Sequence, residues 1–217
     1  MTPRGHPIAE QANAEGVYDV QCVGPRTEAE GRRIVEYVRD HPELAAEFGG
    51  MCNMEAAERL GIPLVEKWTD LVPNTVVTVG KNLALDTFLA GASYTVTGPY
   101  MGLISSVSYS SISATDTMSS HAGWLEAGSA NAPTYARPRP TAAWSSASAG
   151  SKSLSAALSF AITSAGTVKG AFLVFGSGAL TQIDSTPGTL YSAGLFTGGD
   201  KVVGSGDTLN VSYSASM

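Results

Sequence analysis

Apolar and polar residues alternate most regularly over Leu154 to Phe175, LSAALSFAITSAGTVKGAFLVF. Leu154, Ala156, Leu158, Phe160 and Ile162 take every second place, and Ser153, Ser155, Ala157, Ser159, Ala161 and Thr163 take the others, which is the period of a half-buried strand. Ser164-Ala165-Gly166 then offers a reversal with a glycine able to take positive φ, and a second apolar run follows from Val168 to Phe175. The pattern predicts a β-hairpin. Without an acid/base pair or metal ligand, it reads as a packing surface.

The same reading extends along the chain. Val17 to Val23 predicts a short strand ended by Gly24-Pro25. Thr27 and Glu30 have the spacing of a capping box, followed by the helical stripe Ile34, Tyr37 and Val38. Pro42 ends that helix and starts a second, carrying Leu44, Ala45 and Phe48 up to Gly49-Gly50. Asn53 is expected to cap a third, Met54 to Leu60, which leaves through Gly61. A β-branched run, Thr75 to Val79, precedes a helix that Gly80 opens and that carries Leu83, Leu85, Phe88 and Leu89. A strand pair is expected around Gly98-Pro99, between Tyr94 and Ile104. Further strands are expected from Trp144, over Thr189 to Phe196, and over Asp207 to Ala215, where Leu209, Val211 and Tyr213 share one face.

From Lys67 onward this makes seven to nine short strands and one helix. The expected fold is therefore mainly β: an antiparallel β-sandwich or jelly roll with one helix, plus a small N-terminal α-helical segment. The expected division is 1–66, an arm with a short strand and an acidic helical segment, and 67–217, the β-sandwich domain.

Charge sharpens that division. The first 75 residues hold 7 Lys and Arg against 13 Asp and Glu, the whole net charge of −6 of the 217-residue chain. The other 142 residues hold 6 of each sign, 12 charges in all, where an average domain has about a quarter of its residues charged. A surface so poor in charge and rich in Ser, Thr, Gly and Ala needs another reason to stay soluble, and one candidate is cover by neighbouring subunits, which would make the chain a homo-oligomer. Met1 to Ala14 lacks the apolar core of a secretory leader, so Cys22 and Cys52 are expected as reduced thiols. No run approaches the roughly 20 apolar residues of a membrane span, and no membrane partner is expected. EAAERLG looks like the first helix of many helix-turn-helix proteins, but its acidic surroundings cannot neutralise phosphates, and no nucleic-acid partner is expected.

Candidate chemistry is sparse. Asp116 to Trp124, DTMSSHAGW, is the one place where acid, hydroxyl, imidazole and aromatic crowd together. A Ser/His/Asp triad needs side chains converging from separate elements, whereas Ser119, Ser120 and His121 are sequence neighbours. The expected reading is a loop in which Asp116 caps a turn and Trp124 fills the core. His6 and His41 lie in unrelated contexts, and scattered cysteines and histidines do not give the close spacing of a zinc site. Arg137 and Arg139, in the proline-rich NAPTYARPRP, are expected to be solvated loop residues. No catalytic, cofactor-binding or metal-binding residue is assigned, no cofactor is expected, and the chain is not expected to be an enzyme.

VVTVGKNLALDTFL (Val76 to Leu89), YMGLI (Tyr100 to Ile104), DTMSSHAGW, ARP (Ala136 to Pro138), GTVKGAFL (Gly166 to Leu173) and LFTGGDKVVGSGDTLNVSYS (Leu195 to Ser214) together resemble a family of tailed-bacteriophage virion structural proteins. The resemblance runs from Trp68 to the C-terminus. It implies a β-sandwich that decorates or cements the outer surface of the head shell, with the major capsid protein and neighbouring copies of itself as partners and the virion as its location. A tail or fibre component is the alternative within that class. A carbohydrate-binding or hydrolytic β-sandwich is an alternative outside it, and would need an exposed aromatic platform or paired carboxylates about 5 to 10 Å apart. The acidic segment Arg26 to Ile62 interrupts the family's usual path from the VYDVQCV strand to Lys67-Trp68.

Overall fold

A computed structural model describes residues 15–89, 97–136 and 138–216. In chain order the elements are β1 (Glu15–Pro25), α1 (Glu28–Asp40), α2 (Pro42–Phe48), a 3-10 turn (Gly49–Met51), α3 (Cys52–Arg59), β2 (Leu64–Val76), α4 (Thr78–Leu89), β3 (Tyr100–Ser105), β4 (Thr134–Tyr135), β5 (Ser151–Ser153), β6 (Leu158–Ser164), β7 (Gly166–Phe175), β8 (Thr189–Leu195), β9 (Lys201–Val203) and β10 (Thr208–Ser216). The mainly-β expectation holds. The strands form one antiparallel sheet in the order β3-β7-β8-β2-β1-β10-β6-β4, with β5 on β10 and β9 on β7.

The sheet curls until its ends meet. Ala127 N donates to Leu103 O at 2.9 Å and Ser105 N to Leu125 O at 2.9 Å, while Gly128 bridges Thr134 of β4. Leu125 to Gly128 thus joins β3 to β4, and no long edge is left open along that seam. Inside lie Tyr18, Val20 and Cys22 of β1, Phe160 and Ile162 of β6, Leu173 of β7 and Leu209, Val211 and Tyr213 of β10. The alternation read in β10 is the buried face observed.

β7 is buried on both faces, which explains its unbroken AFLVF run. Leu173 points into the curl, whereas Phe172 and Val174 join Ile104, Met118, Trp124 and Leu190 in a second cluster. β6 is also covered on both faces, because Ala161 belongs to a third cluster with Ile34, Leu44, Cys52 and Ala56 of the helical segment.

The expected hairpin is corrected. β6 and β7 follow each other across Ala165 but do not pair: β6 lies between β10 and β4, and β7 between β3 and β8. Gly166 does not take positive φ; its missing side chain instead allows the backbone of Ala132-Pro133 to approach closely. The chain changes partners at a corner and makes no hairpin. The division between residues 66 and 67 falls inside β2, and β1 is central, paired with β2 from Val17↔Pro73 to Pro25↔Leu64 and with β10 from Glu15↔Ser216 to Val23↔Thr208. Both expected parts share one sheet.

The acidic segment is therefore an insert between two adjacent antiparallel strands, where a tight turn would suffice. Its start follows the sequence: Thr27 Oγ1 accepts from Glu30 N, and Glu30 Oε2 accepts from Thr27 N at 3.0 Å. Asn53 does not cap α3 but lies within it, and its buried Nδ2 donates to Ile162 O at 3.0 Å and Asp207 O at 2.9 Å. Gly50 lies against Ser159 O and Gly31 against Ser205 O, so closely that a Cβ at either place would clash with backbone. The insert is fixed to β6 and to the turn between β9 and β10. The strand pair expected around Gly98-Pro99 begins outside the described residues, which hold only β3 of it. Among the described residues no helix is long and apolar enough to cross a membrane.

Candidate functional site: polar clusters and exposed apolar surfaces

The DTMSSHAGW loop plays the structural part expected. Asp116 Oδ2 accepts from Ser113 N and from Trp124 Nε1, each at 2.9 Å, and Trp124 is fully buried. His121 stacks on the Trp124 ring at 3.9 Å between centroids, with Nδ1 3.0 Å from Trp124 O. Ser119 Oγ pairs with Thr117 Oγ1, so the imidazole, the acid and these two hydroxyls are engaged in shaping the loop.

Arg139 overturns the expectation of a solvated loop cation; Arg137 lies outside the described residues. The Arg139 guanidinium is fully buried and grips Glu126 through two bonds, Nε to Oε1 at 2.8 Å and Nη2 to Oε2 at 2.6 Å. Its remaining donors reach Leu180 O at 3.1 Å and Ser185 O at 2.9 Å, and Glu126 Oε2 also accepts from Asp184 N at 2.7 Å. Burial pushes the Glu126 carboxyl above its usual range, against the pull of Arg139 and the Asp184 amide. Glu126 lies on the segment that joins the sheet's ends, so this pair ties the Ala179 to Ser185 loop to the seam. The prolines around Arg139 signalled a loop, and nothing local signalled that the loop folds inward.

A second cluster joins β1, β2 and the turn between β9 and β10. Asp207 is fully buried, accepts from Lys67 Nζ at 2.6 Å and from Gly204 N at 2.8 Å, and lies 3.6 Å from Cys22 Sγ. Burial, then the Asp207 charge, pushes the Cys22 thiol well up, so it is inert as a nucleophile. Cys22 and Cys52 are both buried. On the rim, Asp70 accepts from Lys201 Nζ at 2.7 Å, Thr197 Oγ1 at 2.6 Å, Leu71 N at 2.7 Å and Gly198 N at 2.9 Å. Among the described residues no group of three or more His, Cys, Asp or Glu is placed to hold a metal ion.

These polar clusters hold the fold together, and beside them the described surface carries several apolar exposures. On the outer face of β1, β2 and β8, Val17 is paired with Pro73 and Asp19 with Leu71, while Asn74 is paired with Gly194, the neighbour of Leu195. Val17, Leu71 and Leu195 are 37%, 49% and 36% exposed, and a shallow cavity of about 420 Å³ bounded by Pro73, Ile112 and Leu195 adjoins them. A second concavity of about 420 Å³ lies on the insert, between α2, α3 and the start of β2. A smaller one of about 190 Å³ opens between Trp144, Phe175, Tyr191 and Tyr213. No protein-family model matches the chain, and no curated protein matches it.

Proposed function

We propose that the chain is a non-enzymatic virion structural protein that decorates or cements the outer surface of a tailed-phage capsid. The observation that carries this reading is the apolar strip of Val17, Pro73, Leu71 and Leu195 across three neighbouring strands of a charge-poor sheet. Clustered apolar side chains on a protein surface mark a contact face, and burial of that kind is little screened by salt. The sequence resemblance to virion proteins supplies the partner: the major capsid protein, with further copies of this chain alongside. The insert, fixed to the same sheet, moves with the strip as one body.

The test mixes purified protein with shells lacking it and sediments them. Saturable co-sedimentation that Leu71→Glu weakens at least tenfold, and that survives 0.5 M salt, is the expected result. Failure of the intact chain to bind shells, together with its recovery in tails, would favour the alternative of a tail or fibre component.

A further inference from the structure

α4 is seated by its first turn, and its next two turns lie outside the cores. Val79 packs against the cluster of Phe172 and Leu190, and Gly80 lies so close to the Tyr191 backbone that a Cβ there would clash. From Lys81 to Thr87, by contrast, no side chain is buried. Leu83, Ala84 and Thr87 are half-buried on one side, and Lys81, Asn82, Leu85 and Asp86 are exposed on the other, Leu85 by 55%. Helices in proteins owe most of their stability to covering an apolar face. Here a leucine stands in the middle of an uncovered one.

At about 100° per residue, the four exposed positions fall within roughly 140° of arc, in the order Lys81, Leu85, Asn82, Asp86. That is the order of the g, d, a and e positions across the seam of a coiled coil. In a parallel pair of helices, g of one chain meets the e position five residues on in the other. Lys81 then faces Asp86 twice over, Leu85 faces Leu85 and Asn82 faces Asn82. Among the described residues neither Lys81 nor Asp86 has an ion-pair partner in its own chain, and on one helix they point too far apart to meet. An antiparallel pair would set like flanks together and leave both charges without a counter-charge. Both halves of the contact lie on one helix, so the partner that this face fits is a second copy, related by two-fold symmetry.

We infer that α4 pairs with α4 of a second copy, parallel and in register, through Leu85 and Asn82, with Lys81 of each chain bridging to Asp86 of the other. A single polar Asn in the seam specifies register and strand number. The face is smaller than the roughly 1,000 Å² that a self-sufficient interface buries, so the pair is weak in free solution and needs a trap. The inference does not rest on the virion reading: its test uses free protein, and either can fail without the other.

The trap is the full chain with Leu85→Cys, held at high concentration with oxidised glutathione; the native Cys22 and Cys52 are buried and stay out of the exchange. Every substituted position is exposed, so each variant should melt like the parent, and melting is measured for each. A disulfide-linked dimer forming about tenfold faster than with Ala157→Cys, at an exposed position away from α4, is expected. Adding Lys81→Glu should slow it about fivefold, and adding Asp86→Lys to that should restore it. No advantage over Ala157→Cys would overturn the pairing, as would a rate that ignores Lys81→Glu or that the second reversal does not restore. Faster cross-linking between Asn82→Cys and Leu85→Cys chains than of Leu85→Cys with itself would make the seam antiparallel and overturn the inference.

Discussion

Replacing Arg139 by Met keeps much of the side chain's volume and removes its charge. Glu126 then stays buried without a counter-ion, held only by the Asp184 amide at 2.7 Å, and Leu180 O and Ser185 O lose their donors. Breaking a buried pair from one side costs about 3–5 kcal/mol, because an uncompensated charge is left behind. For a chain of this length that is a fall in melting temperature of roughly 6–20 °C. The acidity of the loss is equally informative. With the guanidinium gone, burial raises the Glu126 carboxyl still further, so the folded state holds a proton at pH values where the unfolded state has released it. The destabilisation is therefore full at neutral pH, and shrinks as the pH falls toward the unfolded carboxyl's value of about 4.3. Thermal melts of parent and variant from pH 7 to pH 4.5 should converge. A variant within about 1 kcal/mol of the parent at pH 7, or a gap that does not change with pH, would refute the role given to the pair.

Other expectations are more local. Asn53→Ala leaves the buried carbonyls of Ile162 and Asp207 without their side-chain donor and should cost about 1–3 kcal/mol in denaturant titration. Phe172→Ala opens the cluster beneath Trp124 and should cost about 3–5 kcal/mol; parent-like melting would place Phe172 outside a core. Burial alone would raise the Asp70 carboxyl, but Lys201, Thr197 and the amides of Leu71 and Gly198 outweigh it and hold it at about 2. Since this lies below the unfolded value, the contribution, about 1 kcal/mol at the solvent-facing rim, is present above about pH 4 and lost as the pH falls through 2. Asp70→Asn should therefore be less stable than the parent at pH 6, with the gap shrinking as the pH falls through 2.

The sequence was most legible where a signal is local. The Thr27–Glu30 capping box, the proline that starts α2 and the alternation of Leu209, Val211 and Tyr213 depend on residues a few positions apart, and each stands where expected. Period-two alternation tells which face of a strand is buried but not which strand lies beside it. Leu154 to Phe175 therefore yielded two strands correctly and their pairing wrongly. β2 was read only from Thr75 because Glu66, Lys67 and Asp70 on its outer half obscured the pattern, although Lys67 and Asp70 are there to pair with Asp207 and Lys201. Asn53 and Arg139 were misread for a common reason: an N-cap residue and a loop arginine have usual local roles, and their partners here lie 109 and 13 residues away. The exposed strip and the insert's concavity were not legible at all, since both are assembled from segments that only the curled sheet brings together.

If this curled sheet and its fixed insert sit on the outside of a phage head, as proposed, a density map of the intact particle should show regularly repeated density on the outer shell that fits the sheet and insert as one body, with the strip of Val17, Leu71 and Leu195 facing the shell or a neighbouring copy. A shell fully explained by other chains, with this fold found only in the tail or nowhere in the particle, would contradict it.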